Sequence, residues 1–578
     1  MIRSLTPANQ VLARNWAWQD SLVILAVLVL ILLIVKTAQI EFTGNYNAQI
    51  TIDTSLKALP GYTLQTLLRM AIAYFLSLGF SIVYAYLAYR SAAASRILLP
   101  LLDILQSIPV LSFLPGVVLV LIAWFPGQNL GLELASILLI FTGMAWNLTF
   151  SFYQSLCSIP SDLLEAAETY RLNVWQRFWT LELPIGAIGL IWNSVMSVAG
   201  GWFFLMAIES FTLGNQSFQL PGLGSYLSEA SNEGNFGAMT WGLTVLIGII
   251  ITLDFLVWRP LIAWAEKFKL ELVETETVPQ SRVLDGLRRS PTLRMLTERV
   301  WMPLIQTVDL TVSRRFAAYP DSTIYHPNSK IGNWLNWLFI SGFTFIVLWG
   351  TWEAVLLLRL LSLSEWKQVM LGAILTSLRV IAALILSLLW TVPVGVAVGR
   401  NPRLAQLLQP VTQIAASVPA TALFPVLLLY LVHLGGGLQI GAIVLMLLGT
   451  MWYILFNVIA GAQAIPAELF EAAEVYRLSR VQRWKTLILP GIFPYLVTGM
   501  ITAVGGAWNA SIVSEYVQFQ GKTLTTLGLG SSISQASATR NYALLLAATG
   551  VMSLLVVLTN RLVWRRLYKL AQSKYQLN

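Results

Sequence analysis

Twelve stretches of this chain run for twenty or more mostly apolar residues, and each must find shelter from water along its whole length. They fall at about 21–40, 66–89, 97–124, 132–156, 185–208 and 238–258, then at about 335–358, 369–399, 404–432, 438–462, 491–514 and 541–564. A helix needs roughly 20 such residues to cross the hydrocarbon of a bilayer. The runs are too long for barrel strands and lack strict alternation. In hydrocarbon a helix also satisfies its own backbone hydrogen bonds, so helices are the expected form. Only 11% of the 578 residues are charged and 57% are hydrophobic, where a water-soluble domain carries roughly 25% charge to solvate its surface. The expected fold class is therefore an all-α membrane protein with about twelve transmembrane helices.

Several functional classes drop out at once. The single cysteine, Cys157, cannot close an intramolecular disulfide, and His326 and His433 stand far apart with no Cys/His cluster nearby, so neither a disulfide scaffold nor a metal site is expected. The net charge of +9 is spread over residues flanking the apolar runs instead of forming one patch, which points to membrane topology and away from nucleic acid.

With a cytoplasmic N-terminus, Arg90 and Arg96, Arg171 and Arg177, and Arg259, Lys267 and Lys269 fall inside, whereas Glu41, Asp53, Glu229 and Glu233 fall outside. Arg400 and Arg403, then Arg477, Arg480, Arg483 and Lys485, and then Arg561, Arg565, Arg566 and Lys569 repeat the pattern. The positive-inside rule puts both termini in the cytoplasm. The first run follows Arg3 and Arg14 without a small-residue cleavage pattern after it, so it reads as an uncleaved anchor.

The chain also repeats itself. Glu165-Ala166-Ala167-Glu168 returns 306 residues later as Glu471-Ala472-Ala473-Glu474, and the same offset relates Trp146 to Trp452, Pro184 to Pro490, Trp202 to Trp508, Glu209 to Glu515 and Gly224 to Gly530. Upstream of Pro126–Asn129 the offset is 310, pairing Arg69 with Arg379, Pro109 with Pro419 and Pro115 with Pro425. Each copy holds six runs, an even number, so both insert the same way and should form two parallel six-helix repeats. The expected organisation is a first repeat at 1–264, a polar cytoplasmic linker at 265–333 and a second repeat at 334–578. Within the linker, Leu296–Val312 is amphipathic enough to lie on the membrane surface, or else is part of a partly ordered tether.

Two matching cytoplasmic loops, at about 159–184 and 465–490, carry the most informative pattern. Each opens on Ile-Pro, with Asp162 or Glu468 in the first turn of an expected helix, where an acid meets the positive end of the helix dipole. Leu163, Ala166, Ala167 and Tyr170, like Leu469, Ala472, Ala473 and Tyr476, are spaced to share one face, with Glu165 and Glu471 beside it. In each copy the proline of a Leu-Pro stands nineteen residues after the glutamate of Glu-Ala-Ala. These loops resemble the EAA loop of ABC importer permeases of the type I fold, and the resemblance extends over about 66–265 and 369–570. It implies coupling helices that dock on a cytoplasmic ATPase, with Glu165, Ala166, Ala167, Glu168, Tyr170 and Arg171, and Glu471, Ala472, Ala473, Glu474, Tyr476 and Arg477, as the docking residues. Arg171 and Arg477 stand where the family usually has a glycine; Asn173 is suited to the left-handed turn such a glycine serves, Ser479 less so.

The runs Ser107–Pro115 and Ser417–Pro425, and Trp508–Glu515, are similar to those of the nitrate, sulfonate and taurine subgroup, particularly its fused two-copy members. That likeness implies a small anionic solute such as nitrate, a sulfonate, taurine or bicarbonate, a bacterial inner-membrane location, an extracytoplasmic substrate-binding protein and two copies of an ATPase subunit that hold ATP and magnesium. This chain itself would bind no cofactor and catalyse nothing: Gly521-Lys522-Thr523 lacks the upstream glycine of a phosphate-binding loop, position 516 being Tyr.

By the same likeness the fifth span of each copy lines the pathway, which nominates Asn193, Trp202 and Glu209, and Trp508, Asn509, Ser511 and Glu515. Each has a plainer alternative: interfacial solvation for the acids, an interfacial belt for the tryptophans, interhelical bonding for the amides. Arg69 and Arg379 either attract an anion or snorkel to headgroups. Pro109, Pro115, Pro419 and Pro425 should break or kink the third span and serve as gate elements. A second function class, an ion-coupled secondary carrier with parallel repeats, would place charged or polar coupling groups near the bilayer midplane, whereas the most evident repeated acids lie on the loops. An intramembrane enzyme finds no paired catalytic carboxylates or histidine motif in the runs.

Overall fold

A computed structural model describes residues 51–574 apart from 108, 113, 127–128, 214–215, 269–280, 290–297, 300–301, 304–305, 308, 310, 313–348, 350–351, 434–436 and 520–521. The first apolar run and most of the seventh lie outside these residues, as does most of the linker; residues 352–358, at the end of the seventh run, are helical. Packing divides the described chain into two units, one holding 154–192 and 253–312, the other 51–153, 193–252 and the second copy.

The first copy consists of α1 (Leu59–Arg90), α2 (Ala92–Ser107), α3 (Leu114–Trp124), α4 (Leu130–Cys157), α5 (Ser161–Thr169) and α6 (Val174–Glu209). It continues through the hairpin β1 (Ser210–Leu213) and β2 (Gln216–Gln219) to α7 (Leu223–Asn232) and α8 (Phe236–Ala265). The second copy repeats the order: α9 (Leu363–Arg400), α10 (Pro402–Ser417), α11 (Ala420–His433), α12 (Gly437–Gln463), α13 (Ala467–Val475) and α14 (Arg480–Ser514). The hairpin β3 (Tyr516–Phe519) and β4 (Lys522–Thr525), α15 (Leu529–Thr539) and α16 (Tyr542–Ala571) complete it. Both hairpins are antiparallel. Eight helices, α1, α4, α6, α8, α9, α12, α14 and α16, are long and apolar enough to cross a membrane, or nine if the bent pair α10–α11 counts as one span.

The third span of each copy is broken. In the second copy the helix turns by 79° between Val411–Ser417 and Ala420–Leu428. The break sits at Val418-Pro419, because a proline lacks the N–H that would continue the ladder and disfavours helical geometry in the residue before it. In the first copy Pro109 opens a short 3-10 turn, Val110–Ser112, between α2 and α3, and its carbonyl accepts the N–H of Ser112. Pro425 stays inside α11.

Four π-helical turns interrupt the long helices, at Phe178–Glu182 and Asp254–Trp258 and, 306 residues on, at Trp484–Ile488 and Asn560–Trp564. Three of them lie just ahead of Pro184, Pro260 and Pro490. A proline ring clashes with the carbonyl four residues back, and a widened turn there relieves the clash without ending the helix. The helices thus continue through these turns without a break.

The predicted loop helices are present as α5 and α13. Pro160 and Pro466 occupy their N-caps rather than the first helical position, with extended backbone. Both helices end in a Schellman motif: the N–H of Leu172 reaches the carbonyl of Ala167 and that of Arg171 reaches Glu168, and Leu478 and Arg477 do the same with Ala473 and Glu474. The motif requires a left-handed residue just past the helix, and Arg171 (φ 51°) and Arg477 (φ 50°) supply it. Asn173 does not take that conformation. It and Ser479 instead cap the next helices, each accepting the N–H of the glutamine three residues on while that glutamine's side chain returns to the cap's N–H.

Arg171→Gly and Arg477→Gly should each relieve about 1–2 kcal/mol of left-handed strain against about 0.5–1 kcal/mol of extra chain entropy on unfolding. The thermal midpoint in detergent should therefore rise slightly for glycine and fall for Arg171→Val, whose branched side chain resists positive φ.

Candidate functional site

Both loop helices turn a small, apolar side inward and their charge outward. Ala167 and Ala473 are buried, whereas Glu165, Glu168, Glu471 and Glu474 are exposed. Leu163 and Ala166 are half-buried, while Leu469 and Ala472 are exposed. Tyr170 and Tyr476 leave the predicted inward face. Each is the C-cap, where helical phase ends, and each is 79% exposed. Together with Arg171 and Arg477 they extend the acid-bearing surface. At the loops the two copies differ in their ion pairs: Arg177 meets Glu182 at 2.9 Å in the first, but the matching position is Ile488 in the second, and Arg483 turns to Glu474 at 3.5 Å.

At the other end of α6 and α14 the repeated charges gather into two buried clamps. Arg69, Glu133 and Glu209 are each no more than 2% exposed. Arg69 donates from Nε and Nη2 to both oxygens of Glu133 at 2.7 and 2.6 Å, and from Nη1 to Glu209 at 2.9 Å and to the Pro221 carbonyl at 2.8 Å. The Thr66 hydroxyl donates to Glu209 at 2.8 Å and accepts the Leu223 N–H at 2.9 Å, while the second oxygen of Glu209 accepts the Gly224 N–H at 2.6 Å. Two otherwise orphaned N–H groups at the start of α7 are thereby satisfied by side chains from elsewhere in the fold.

The second copy builds the same device from Thr376, Arg379 and Glu515. Glu515 accepts from Thr376 and Arg379 at 2.8 Å each and from the Gly530 N–H at 2.9 Å, and Thr376 accepts the Leu529 N–H at 2.9 Å. Here the position of Glu133 is held by Gln439, and Arg379 donates also to the Leu527 carbonyl from Nη1 and to the Thr526 hydroxyl from Nη2. A side chain on Gly222 or Gly528 would collide with the clamped carboxylate. Arg69, Arg379, Glu209 and Glu515 therefore neither snorkel nor lie solvated at an interface.

The other nominated residues separate. Trp202 and Trp508 are buried, away from any belt. Asn193 donates to Ser151 Oγ at 2.8 Å, an interhelical bond, and Ser511 bonds the Trp508 carbonyl on its own helix. Asn509 donates to the Gly505 carbonyl and lines a cavity of about 90 Å³ together with Pro419, Phe203 and Tyr453.

A larger cavity, about 230 Å³, is walled by both copies at equivalent places. Met206 and Ala207 at the end of α6 answer Ile512 and Val513 at the end of α14, and Leu227, Ser228 and Ser231 on α7 answer Ile533, Ser534 and Ser537 on α15. Leu111 and Leu114 answer Thr421 and Phe424, and Pro425 joins them. The short helices α7 and α15 lie outside the sequence expectations, because ten and eleven mostly polar and small residues between spans carry no long apolar run; the duplicated Gly-Leu-Gly-Ser at 222–225 and 528–531 is the available signal.

Residues 77–259 and 391–566, more than half of the chain, each match the family of binding-protein-dependent transport system inner membrane components. The chain belongs to that family. The family unit occurs twice, as in a fused two-copy permease. Among similar proteins, the taurine transport system permease protein of Escherichia coli (strain K12) is 27% identical over 180 residues, 31% of this chain and 62% of that protein. A nitrate import permease protein of Leptolyngbya laminosa is 28% identical over 137 residues, 24% and 48% of the two chains. A bicarbonate transport system permease protein of Synechocystis sp. (strain ATCC 27184 / PCC 6803 / Kazusa) is 32% identical over 123 residues, 21% and 42%. The matched segments thus span about half the length of these relatives.

The clamps yield a comparison between copies. Arg69→Met would strand two buried carboxylates and should cost about 3–5 kcal/mol, the range for breaking a buried ion pair from one side. Arg379→Met strands one and should cost less. Thermal or denaturant unfolding of the two variants in detergent checks the order.

Proposed function

We propose that this permease forms the pathway of an ATP-driven importer for a small anion, with both halves of the pathway supplied by one chain. α13 and α14 carry this reading. α13 presents Glu471 and Glu474 to solvent, its C-terminal turn adds Tyr476 and Arg477, and after a capped turn the chain enters α14, which runs from Arg480 to Ser514. The far end of that helix, Ile512 and Val513, walls the larger cavity. A push on the loop is delivered along this helix, through the π-turn at Trp484–Ile488, to the cavity wall.

In this reading α5 and α13 each dock one copy of a cytoplasmic ATPase subunit, which holds the ATP and magnesium. Glu165 and Glu471 make the main polar contact, and Ala166, Ala167, Glu168, Ala472, Ala473 and Glu474 shape the rest of the docking helix. Both termini face the cytoplasm, the hairpins and α7 and α15 face the other side, and a binding protein delivers solute there. The names of the taurine, nitrate and bicarbonate relatives support an anion as cargo. Asn509 and the elbow at Pro419 line the smaller cavity and would form the next step of the path.

Replacing Glu165 and Glu471 together by alanine should weaken ATPase attachment by on the order of 2–5 kcal/mol and remove substrate-stimulated ATP hydrolysis in reconstituted vesicles. The variant should elute like wild type on gel filtration, since both acids are exposed. Wild-type stimulation in that variant would overturn the docking role.

A further inference from the structure

The larger cavity has a polar lining that its proposed role does not by itself explain. Ser228 and Ser231 lie three residues apart on α7, as do Ser534 and Ser537 on α15, so both members of each pair line the same space, although Ser534 Oγ donates to the Ile512 carbonyl at 3.2 Å. Thr421 and Tyr516 add two more hydroxyl-bearing residues. No charged side chain is among the described residues lining the cavity; the nearby Glu209 and Glu515 sit behind the wall with their oxygens committed to the clamps. Ser231 is 3% exposed, and its hydroxyl has no partner among the described residues. A buried polar group calls for one. Ser228 Oγ accepts from Ser210 Oγ at 3.1 Å, which leaves its own proton for another acceptor.

We infer that this cavity is a selectivity site for monovalent oxyanions, held by the hydroxyls of Ser228, Ser231 and Ser537, and that it rejects dianions. The inference rests on the anion-import reading above and adds the means of recognition. Hydroxyl groups rotate to suit a trigonal or tetrahedral oxyanion and donate without carrying charge. The cost of stripping water from an ion rises with the square of its charge, so a few neutral hydroxyls that suffice for a monoanion fall short for a dianion without a fixed countercharge. The lining offers none. The absence of a cation in the wall also keeps binding weak, and a transported ion must be able to leave. The volume of about 230 Å³ is below the roughly 300–1,000 Å³ of pockets for drug-sized ligands, so the occupant has a few heavy atoms.

The test places a thiol in the site. Full-length chain carrying Cys157→Ser and either Ser231→Cys or Ser537→Cys is reconstituted in nanodiscs. It is modified with the monoanionic reagent methanethiosulfonate ethylsulfonate in the presence of nitrate, methanesulfonate or sulfate at matched ionic strength. Nitrate or methanesulfonate at about twice its dissociation constant should slow modification about threefold by mass action, and sulfate should leave the rate unchanged. Equal protection by sulfate, or protection by none of the three, overturns the inference. So does a complete lack of modification at both positions while the exposed Cys157 of the unaltered chain reacts. Should either variant fail to elute as a single species, Ser228→Cys and Ser534→Cys probe the same wall from the neighbouring turn. A chain that still stimulates its ATPase yet shows no protection would keep the import reading and lose this one.

Discussion

A charge taken out of water must meet its counterpart inside the protein, and the two clamps at Glu209 and Glu515 show how far that requirement shapes this fold. Each carboxylate has an arginine and a threonine from the second span as partners and the first N–H groups of a short helix as further donors. The span end, the hairpin after it and the short helix are thereby fixed to one another, since the backbone at each carboxylate also closes its hairpin, Leu220 to Glu209 and Thr526 to Glu515. The cavity wall formed by α7 and α15 inherits its position from these contacts. Gly222 and Gly528 are where they are because nothing larger clears the carboxylate.

The two copies keep this plan but not every residue. Arg69 answers two acids, while Arg379 answers one and donates also to two neutral oxygens. The turn after α7 uses Gly234 at φ 67° where the turn after α15 uses Arg540 at φ 54°. Fusion of the copies in one chain permits such drift, because each site is encoded once and need satisfy only its own neighbours. The serine pairs lining the cavity are held in common, as are the alanines facing inward beneath the loop helices.

At the loops, helical spacing was legible as far as the helix lasted. Ala167 and Ala473 face inward as their period requires, but Tyr170 and Tyr476, counted as the next members of that face, fall where the helix has already ended. A Schellman stop rotates the chain by a left-handed step, and spacing has no authority beyond it. The same stop explains Arg171 and Arg477 at a position suited to glycine: hydrogen bonds to the last carbonyls hold an unfavourable backbone in place, and no propensity scale applied to the sequence would assign it to arginine. The broken third spans were legible from Pro109 and Pro419, although the size of the bend was not.

The sequence by itself determined that the chain lives in a bilayer, that it is built twice, where the eight long apolar helices among the described residues run and that an acidic helix stands in each of the two matching loops. All of these follow from local composition, spacing and self-similarity. Tertiary structure decided what Arg69, Glu209, Arg379 and Glu515 do, because an ion pair between residues 140 or 136 positions apart leaves no periodic trace. It also decided that Ser228, Ser231, Ser534 and Ser537, unremarkable in sequence, share one cavity. Proximity between distant segments is set by packing, and packing is where the chemistry of this protein is assembled.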